Sequence, residues 1–185
     1  MKYRFVKDEI IYTGEQLQSN FAYTNYGIVG DSIIAFCGMC DVKLKAMVDI
    51  EDLKAGRAIY SESMLHFIVE HHDIDLEKAV LRQLLLADIV KDTINDSIGR
   101  FAVRRVSSDL YDEDAKLSIS VATVTPLSSL IHFGINITSI NTPVKTKGLR
   151  DYTIDPYEFA NLIMDRYTKE IDKIMTARCK VKWVQ

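Results

Sequence analysis

Apolar residues recur along the chain in short runs of two different periods, and these runs divide it into strands and two long helices. Residues 2–12 read as a strand or a short hairpin. Thr13 to Gln16 has capping-box spacing, which predicts a short helix over about 14–24. Asp31 to Phe36 is a compact apolar strand following Gly27 and Gly30. Over Lys43–Asp49 the pattern alternates, with Leu44, Ala46 and Val48 on one face, so a further strand is expected. Glu51–Tyr60 is polar and reads as a loop, and Met64–Glu70 is strongly β-like. Asp75 predicts the cap of a helix running to about Asn95, with Leu76, Val80, Leu84 and Ala87 on one stripe that Leu85, Leu86 and Val90 widen. Arg100–Val106, Ala115–Val124 and, after Thr125-Pro126, Leu127–Ile137 are further strands. Asp155-Pro156 places a cap before a first-turn proline, and helical spacing continues to about Ala177. Cys179–Val184 alternates and is expected to close the chain as a strand.

Helices do not alternate regularly with strands, which disfavours a doubly wound parallel fold. The expected class is α+β, with a mixed, mainly antiparallel sheet and two principal helices. A chain of 185 residues, 48% hydrophobic and 26% charged, fits a single globular domain over 1–185. Its 23 basic and 26 acidic residues give a net charge of -3, so nucleic acid is not an expected partner. Charges at Lys2, Arg4, Lys7, Asp8 and Glu9 leave no apolar core for a signal peptide. The uncharged stretch Leu117–Val144 is broken by Pro126, Gly134 and Pro143, so no membrane span is read there. A cytoplasmic protein is expected.

Cys37, Cys40 and Cys179 make no disulfide framework. Cys37-Gly-Met-Cys40 is formally a Cys-x-x-Cys pair, but the chain offers no second ligand pair at zinc spacing, so no structural metal is expected. The pair follows the apolar run Ile33–Phe36 and reads as thiols at a strand end.

Three clusters bear chemistry. Lys54, Gly56 and Arg57 precede Ser61 and the strand Leu65-His66-Phe67; arginine grips phosphate or carboxylate with two prongs, and glycine lets backbone approach a ligand. Asp112-Glu113-Asp114 looks like a hairpin turn that delivers Lys116 to a strand entry, where a compact ammonium can neutralise phosphate or polarise a carbonyl. Strand alternation puts His132, Gly134 and Asn136 on one face, a polar stripe with space beside the glycine. Each cluster also has a plain reading: an exposed polar loop, a solvated strand-end lysine, and the solvent side of an edge strand.

The order of these clusters resembles the catalytic domain shared by biotin protein ligases, lipoate-protein ligases and octanoyl transferases, a class II synthetase-like fold. Gly56-Arg57 with Ser61 and Leu65-His66-Phe67 looks like that family's loop and strand, Asp109-Leu110-Tyr111 through Lys116-Leu117 like its lysine hairpin, and His132–Ile137 like the strand that follows. Thr142-Pro143 with Gly148-Leu149 is similar to the transferases' proline-to-glycine turn. The resemblance covers about 30–150 and leaves a C-terminal helix and strand over 155–184. The chain departs from it with one glycine and one arginine in the loop, with Ser118 in place of a glycine, and with no cysteine near Val144, where the transferases carry their acyl group. Gly30-Asp31-Ser32 and the ending Lys180-Val181-Lys182-Trp183-Val184 also resemble a prokaryotic family, domain of unknown function 366, which implies no activity.

The ligase resemblance implies an enzyme that activates or transfers a carboxylate or acyl group. Lys116 would stabilise charge at the reacting carbonyl; Lys54 and Arg57 would hold phosphate or carboxylate, and His132 and Asn136 would line the pocket. It further implies ATP, an acyl-adenylate or an acyl-thioester as co-reactant, a carrier protein as acceptor, and a homodimer. Two other readings stand beside it: a non-catalytic small-molecule or nucleotide-binding module on the same fold, and an interaction protein with an ordinary surface. On the sequence alone Lys116→Ala is expected to cost about 1 kcal/mol of stability or less, as surface changes do.

Overall fold

The structure, a computed structural model, describes residues 1–140, 142 and 144–184. Strand β1 (Lys2–Val6) is followed by a strap over residues 7–20 and helix α1 (Phe21–Tyr26). Strand β2 (Ser32–Val42), a short helix α2 (Ile50–Lys54) and the long strand β3 (Ile59–His71) come next. Helix α3 (Leu76–Ile98) leads into strands β4 (Val103–Val106), β5 (Asp109–Asp112), β6 (Ala115–Lys116), β7 (Ser118–Val124) and β8 (Ser129–Asn136). Helix α4 (Pro156–Cys179) completes the α+β arrangement.

The main sheet has the order β1-β2-β3-β8-β7, and a three-stranded sheet has the order β4-β5-β6. Among the named strands of the described residues, the β1–β2 pair is parallel and the other pairs are antiparallel. Alternation along each strand gives the main sheet two apolar faces. Ile33, Leu65, Phe67, Ile131 and Phe133 pack with Leu86, Val90, Ile163 and Tyr167 of α3 and α4. On the other face Ile34, Phe36, Met64 and Ile68 pack with Tyr12 and Phe21 from the strap and α1. Because both faces are covered, β8 is buried along its whole length between β3 and β7, and the edge-strand reading of His132 does not hold.

The helix starts follow their caps. Asp75 accepts from the Lys78 N–H (2.9 Å) and Asp155 from the Glu158 N–H (2.8 Å), each filling an orphan donor of the first turn. The buried stripe of α3 is Ala79, Gln83, Leu86, Ala87, Val90 and Ile94, so Leu76 and Val80 fall outside it and are exposed.

Four further sequence expectations change. The helix over 14–24 shrinks to Phe21–Tyr26: Gln16 does accept from the Thr13 N–H (3.1 Å), but Gly14 at φ 94 and Asn20 at φ 63 interrupt helical backbone. The strand over Lys43–Asp49 is instead a 3-10 turn at Leu44–Ala46, and Asp49 accepts from Glu51 and Asp52 N–H groups to start α2 inside the expected loop. Strand β2 runs on to Val42, so Cys37 and Cys40 lie within it rather than at its end. Among the described residues, Cys179–Val184 forms no strand: α4 continues to Cys179, and Val181 and Trp183 beyond it are 73% and 87% exposed.

Candidate functional site

A cavity of about 640 Å³ opens on the strap side of the main sheet. Its floor comes from Met64 on β3, Ser118–Val121 on β7, and His132 and Asn136 on β8; Tyr12 comes from the strap. Asp49, Asp52 and Arg57 line it from the α2 segment, Asp109 and Lys116 from the β5–β6 hairpin, and Val144 from the segment after β8. The elements converge because β3, β8 and β7 are neighbours in one sheet, whereas α2 and the hairpin flank its end.

Arg57, Lys116, His132 and Asn136 thus share one cavity wall, although 79 positions separate the first and last. Lys54 is exposed on α2 and does not line it. Arg57 is 75% exposed and stands 3.8 Å from Asp52. Asn136 is buried and accepts from Ser61 Oγ (3.1 Å), which ties β3 to β8 at the floor. Gly134 offers no space: a Cβ there would lie 3.0 Å from Met64 Cε and 3.3 Å from Ile119 Cγ1, so those side chains fill the gap the sequence suggested.

Lys116 Nζ lies 2.6 Å from Asp109 Oδ2, and both side chains are largely buried. Burial raises the Asp109 pKa above the usual carboxylate value against the pull of Lys116, with Asp52 and Asp49 adding to the rise. Lys116 is therefore a paired cation at a cavity wall, not a solvated strand end. Ser118, standing where the resembled families have glycine, ties two strands together. Its Oγ accepts from the Leu110 N–H (2.8 Å) and joins β7 to β5.

His132 meets His66 beneath the cavity floor. His132 Nε2 and His66 Nδ1 are 3.1 Å apart, and His66 Nε2 is 3.3 Å from the Gly38 carbonyl. Tyr12 stacks on the His132 ring at 3.7 Å and 16°, and Phe36 stacks on His66. Burial pushes the His66 pKa down to about 3, and burial together with His66 holds His132 well below its ordinary value, so both rings are neutral.

Tyr12, His66, Asp49 and Asp52 belong to the site without being singled out by the sequence, and Asp109 stands in the hairpin motif with no role that the motif assigns. No local pattern marks Tyr12, because the strap reaches the floor by running parallel beside β2: the Tyr12 N–H donates to the Met39 carbonyl and the Asp41 N–H to the Tyr12 carbonyl. The cysteines take no part. Cys37 packs on the helix face and Cys40 on the other, and burial raises their pKa values to about 11 and about 12. Val144, an apolar side chain, lines the cavity near where the transferases would carry cysteine. The proline-to-glycine turn cannot be followed throughout, since Pro143 lies outside the described residues.

Comparison with known proteins gives both a family and a fold. The family described as domain of unknown function (DUF366) matches residues 1–182. Uncharacterized protein MJ0805 of Methanocaldococcus jannaschii is 40% identical over 177 residues, covering 92% of this chain and 79% of the relative. A protein of unknown function from Pyrococcus horikoshi superposes with a TM-score of 0.91 at 35% identity, covering 99% of this chain and all of that one. Biotin protein ligase from Aquifex aeolicus, in complex with biotin and ATP, superposes with a TM-score of 0.63 at 13% identity, over 91% of this chain and 70% of the ligase. Lipoate-protein ligases share the same fold.

Proposed function

We propose, from the premise that the chain belongs to the domain of unknown function DUF366 family, that its cavity binds a small carboxylate or acyl ligand whose carbonyl lies at Lys116. The observation that carries this is the placement of a partly buried ammonium on a cavity of about 640 Å³ that Met64, Ile119, Val121 and Val144 also line. Lys116 and Asn136 mark one end of the floor; His132, four residues along β8 and so about 13 Å away, marks the other, with Val121 and Met64 between the walls. A compact ammonium in a site of low dielectric stabilises the oxyanion that forms when a nucleophile attacks a carbonyl. Arg57, exposed at the cavity wall, suits the guiding of an anionic group inward. A carrier protein fits the role of acyl acceptor.

ATP, which the Aquifex aeolicus ligase binds, finds a poorer fit. Arg57 and Lys116 are the cations of the lining, against the carboxylates of Asp49, Asp52 and Asp109, and Lys116 is already paired. That donor set suits one carboxylate or carbonyl better than a triphosphate. A covalent acyl-thioester on the chain is also disfavoured, since no described cysteine lines the cavity. The same two observations support the second reading, a non-catalytic binding module.

Two panels separate the readings. Carboxylic acids with ATP and magnesium are assayed for pyrophosphate release, and acyl-thioesters for release of free thiol. Turnover in either panel, reduced at least about 100-fold in Lys116→Ala, is the expected result. Binding of acids without turnover in either panel would overturn the catalytic reading and leave the binding module.

A further inference from the structure

Two polar atoms of cavity-lining residues, His132 Nδ1 and the Tyr12 hydroxyl, have no hydrogen bond among the described residues. Both residues line the cavity, both are 3% exposed, and their rings stack. The polarity of the histidine atom follows from its neighbours. The Gly38 carbonyl can only accept, so the proton of His66 is on Nε2. His66 Nδ1 is then a bare lone pair, and the hydrogen between the two rings belongs to His132 Nε2. A neutral imidazole carries one N–H, so His132 Nδ1 is bare as well. A backbone carbonyl at the far end of this chain of contacts thereby makes the cavity wall an acceptor, and His66 is the positioning residue that transmits the choice.

We propose that this end of the cavity reads an uncharged amide-type group, whose N–H donates to His132 Nδ1 and whose carbonyl accepts from the Tyr12 hydroxyl, and rejects a carboxylate or ester there; this rests on the cavity being the ligand site but not on catalysis at Lys116. Carboxylates and esters have only acceptors to offer and would set lone pair against lone pair. An unpaired buried polar atom on either partner is costly. The ligand class is therefore an acyl or carboxylate chain with an amide-type group at the end remote from the carboxyl.

Three probes with one chain length test it: suberic acid monoamide, suberic acid and suberic acid monomethyl ester, titrated into the protein by calorimetry. The monoamide should bind at least about tenfold more tightly than the other two, and His132→Phe should bring the three affinities together. Equal affinities in the wild type, or a preference for the diacid or ester, would overturn the inference while the cavity remained the ligand site. Failure of all three to bind would overturn both. Long-range ¹H–¹⁵N spectra of the histidine rings give a second readout that needs no ligand. Both His66 and His132 should be Nε2–H tautomers, and His66→Phe should release His132 into a mixture. An Nδ1–H proton on His132 in the wild type would contradict the assignment.

Discussion

Burial holds the His66 pKa at about 3 and that of His132 well below 6.5, so below pH 6.5 the unfolded chain binds protons that the folded chain does not. The stability they confer is therefore complete above pH 6.5 and declines as pH falls; the His66 share is lost at about 1.4 kcal/mol per pH unit down to about 3, and the His132 share declines in the same direction. Urea unfolding between pH 6 and 4.5 should show this slope, and His66→Phe should flatten it by about one histidine's share; an unchanged slope would mean that His66 is protonated in the fold. Lys116 is a residue whose surroundings revise its expected cost. Its removal leaves Asp109, already raised by burial and by Asp52 and Asp49, without its cation. Lys116→Ala should lose about 1–3 kcal/mol at pH 7, more than the surface value expected from sequence. Adding Asp109→Asn should recover part of it, which a double-mutant cycle by chemical denaturation measures. Additive effects in that cycle would mean the two side chains are independent. Lys116 is visible in the sequence as a strand-entry lysine, but its pairing is not, because the contact depends on the exact closure of the Glu113 turn at φ 54.

Elements with caps and strict periodicity are legible in the sequence, and those decided by long-range contact are not. Asp75 and Asp155 announce α3 and α4 because a cap and a first turn are local chemistry. The C-terminal end of α4 is harder to read because Cys179–Val184 alternates like a strand, yet an alternating segment becomes a strand only where a sheet edge pairs with it. Similarly, Lys43–Asp49 alternates, but Asp49 captures two N–H groups and turns the chain into α2. The strap is the element whose position matters most for the site. A Cβ on Gly38 would overlap the Ile10 carbonyl, so β2 accepts the strap only because this position has no side chain. Gly38→Ala should therefore push the strap away, at about 1–3 kcal/mol or more, and lift Tyr12 from His132. Thermal unfolding and the ring-current shift of the His132 protons measure both; unchanged shifts with a normal melting temperature would show that the strap does not depend on the glycine.

At the scale of the molecule, the fold class and the order of clusters along the chain are readable, whereas the cavity is assembled by sheet register and by segments distant in sequence. Alternation places His132 and Asn136 on one face, but their partners His66 and Ser61 come from β3 through a register that no local pattern encodes. The balance of charge around the cavity is similarly hidden, because Asp49, Asp52 and Asp109 come from segments that read as strand, loop and hairpin. These carboxylates are why the proposal rests on one paired lysine rather than on a cluster of cations. Octanoate titrated into ¹⁵N-labelled protein tests that proposal most directly. Amide shifts should concentrate at Ser61, Ser118–Val121, His132 and Asn136, with affinity falling about 10-fold or more in Lys116→Ala. Shifts confined to other surfaces, or an affinity unchanged by Lys116→Ala, would contradict a carboxylate or acyl site at this lysine.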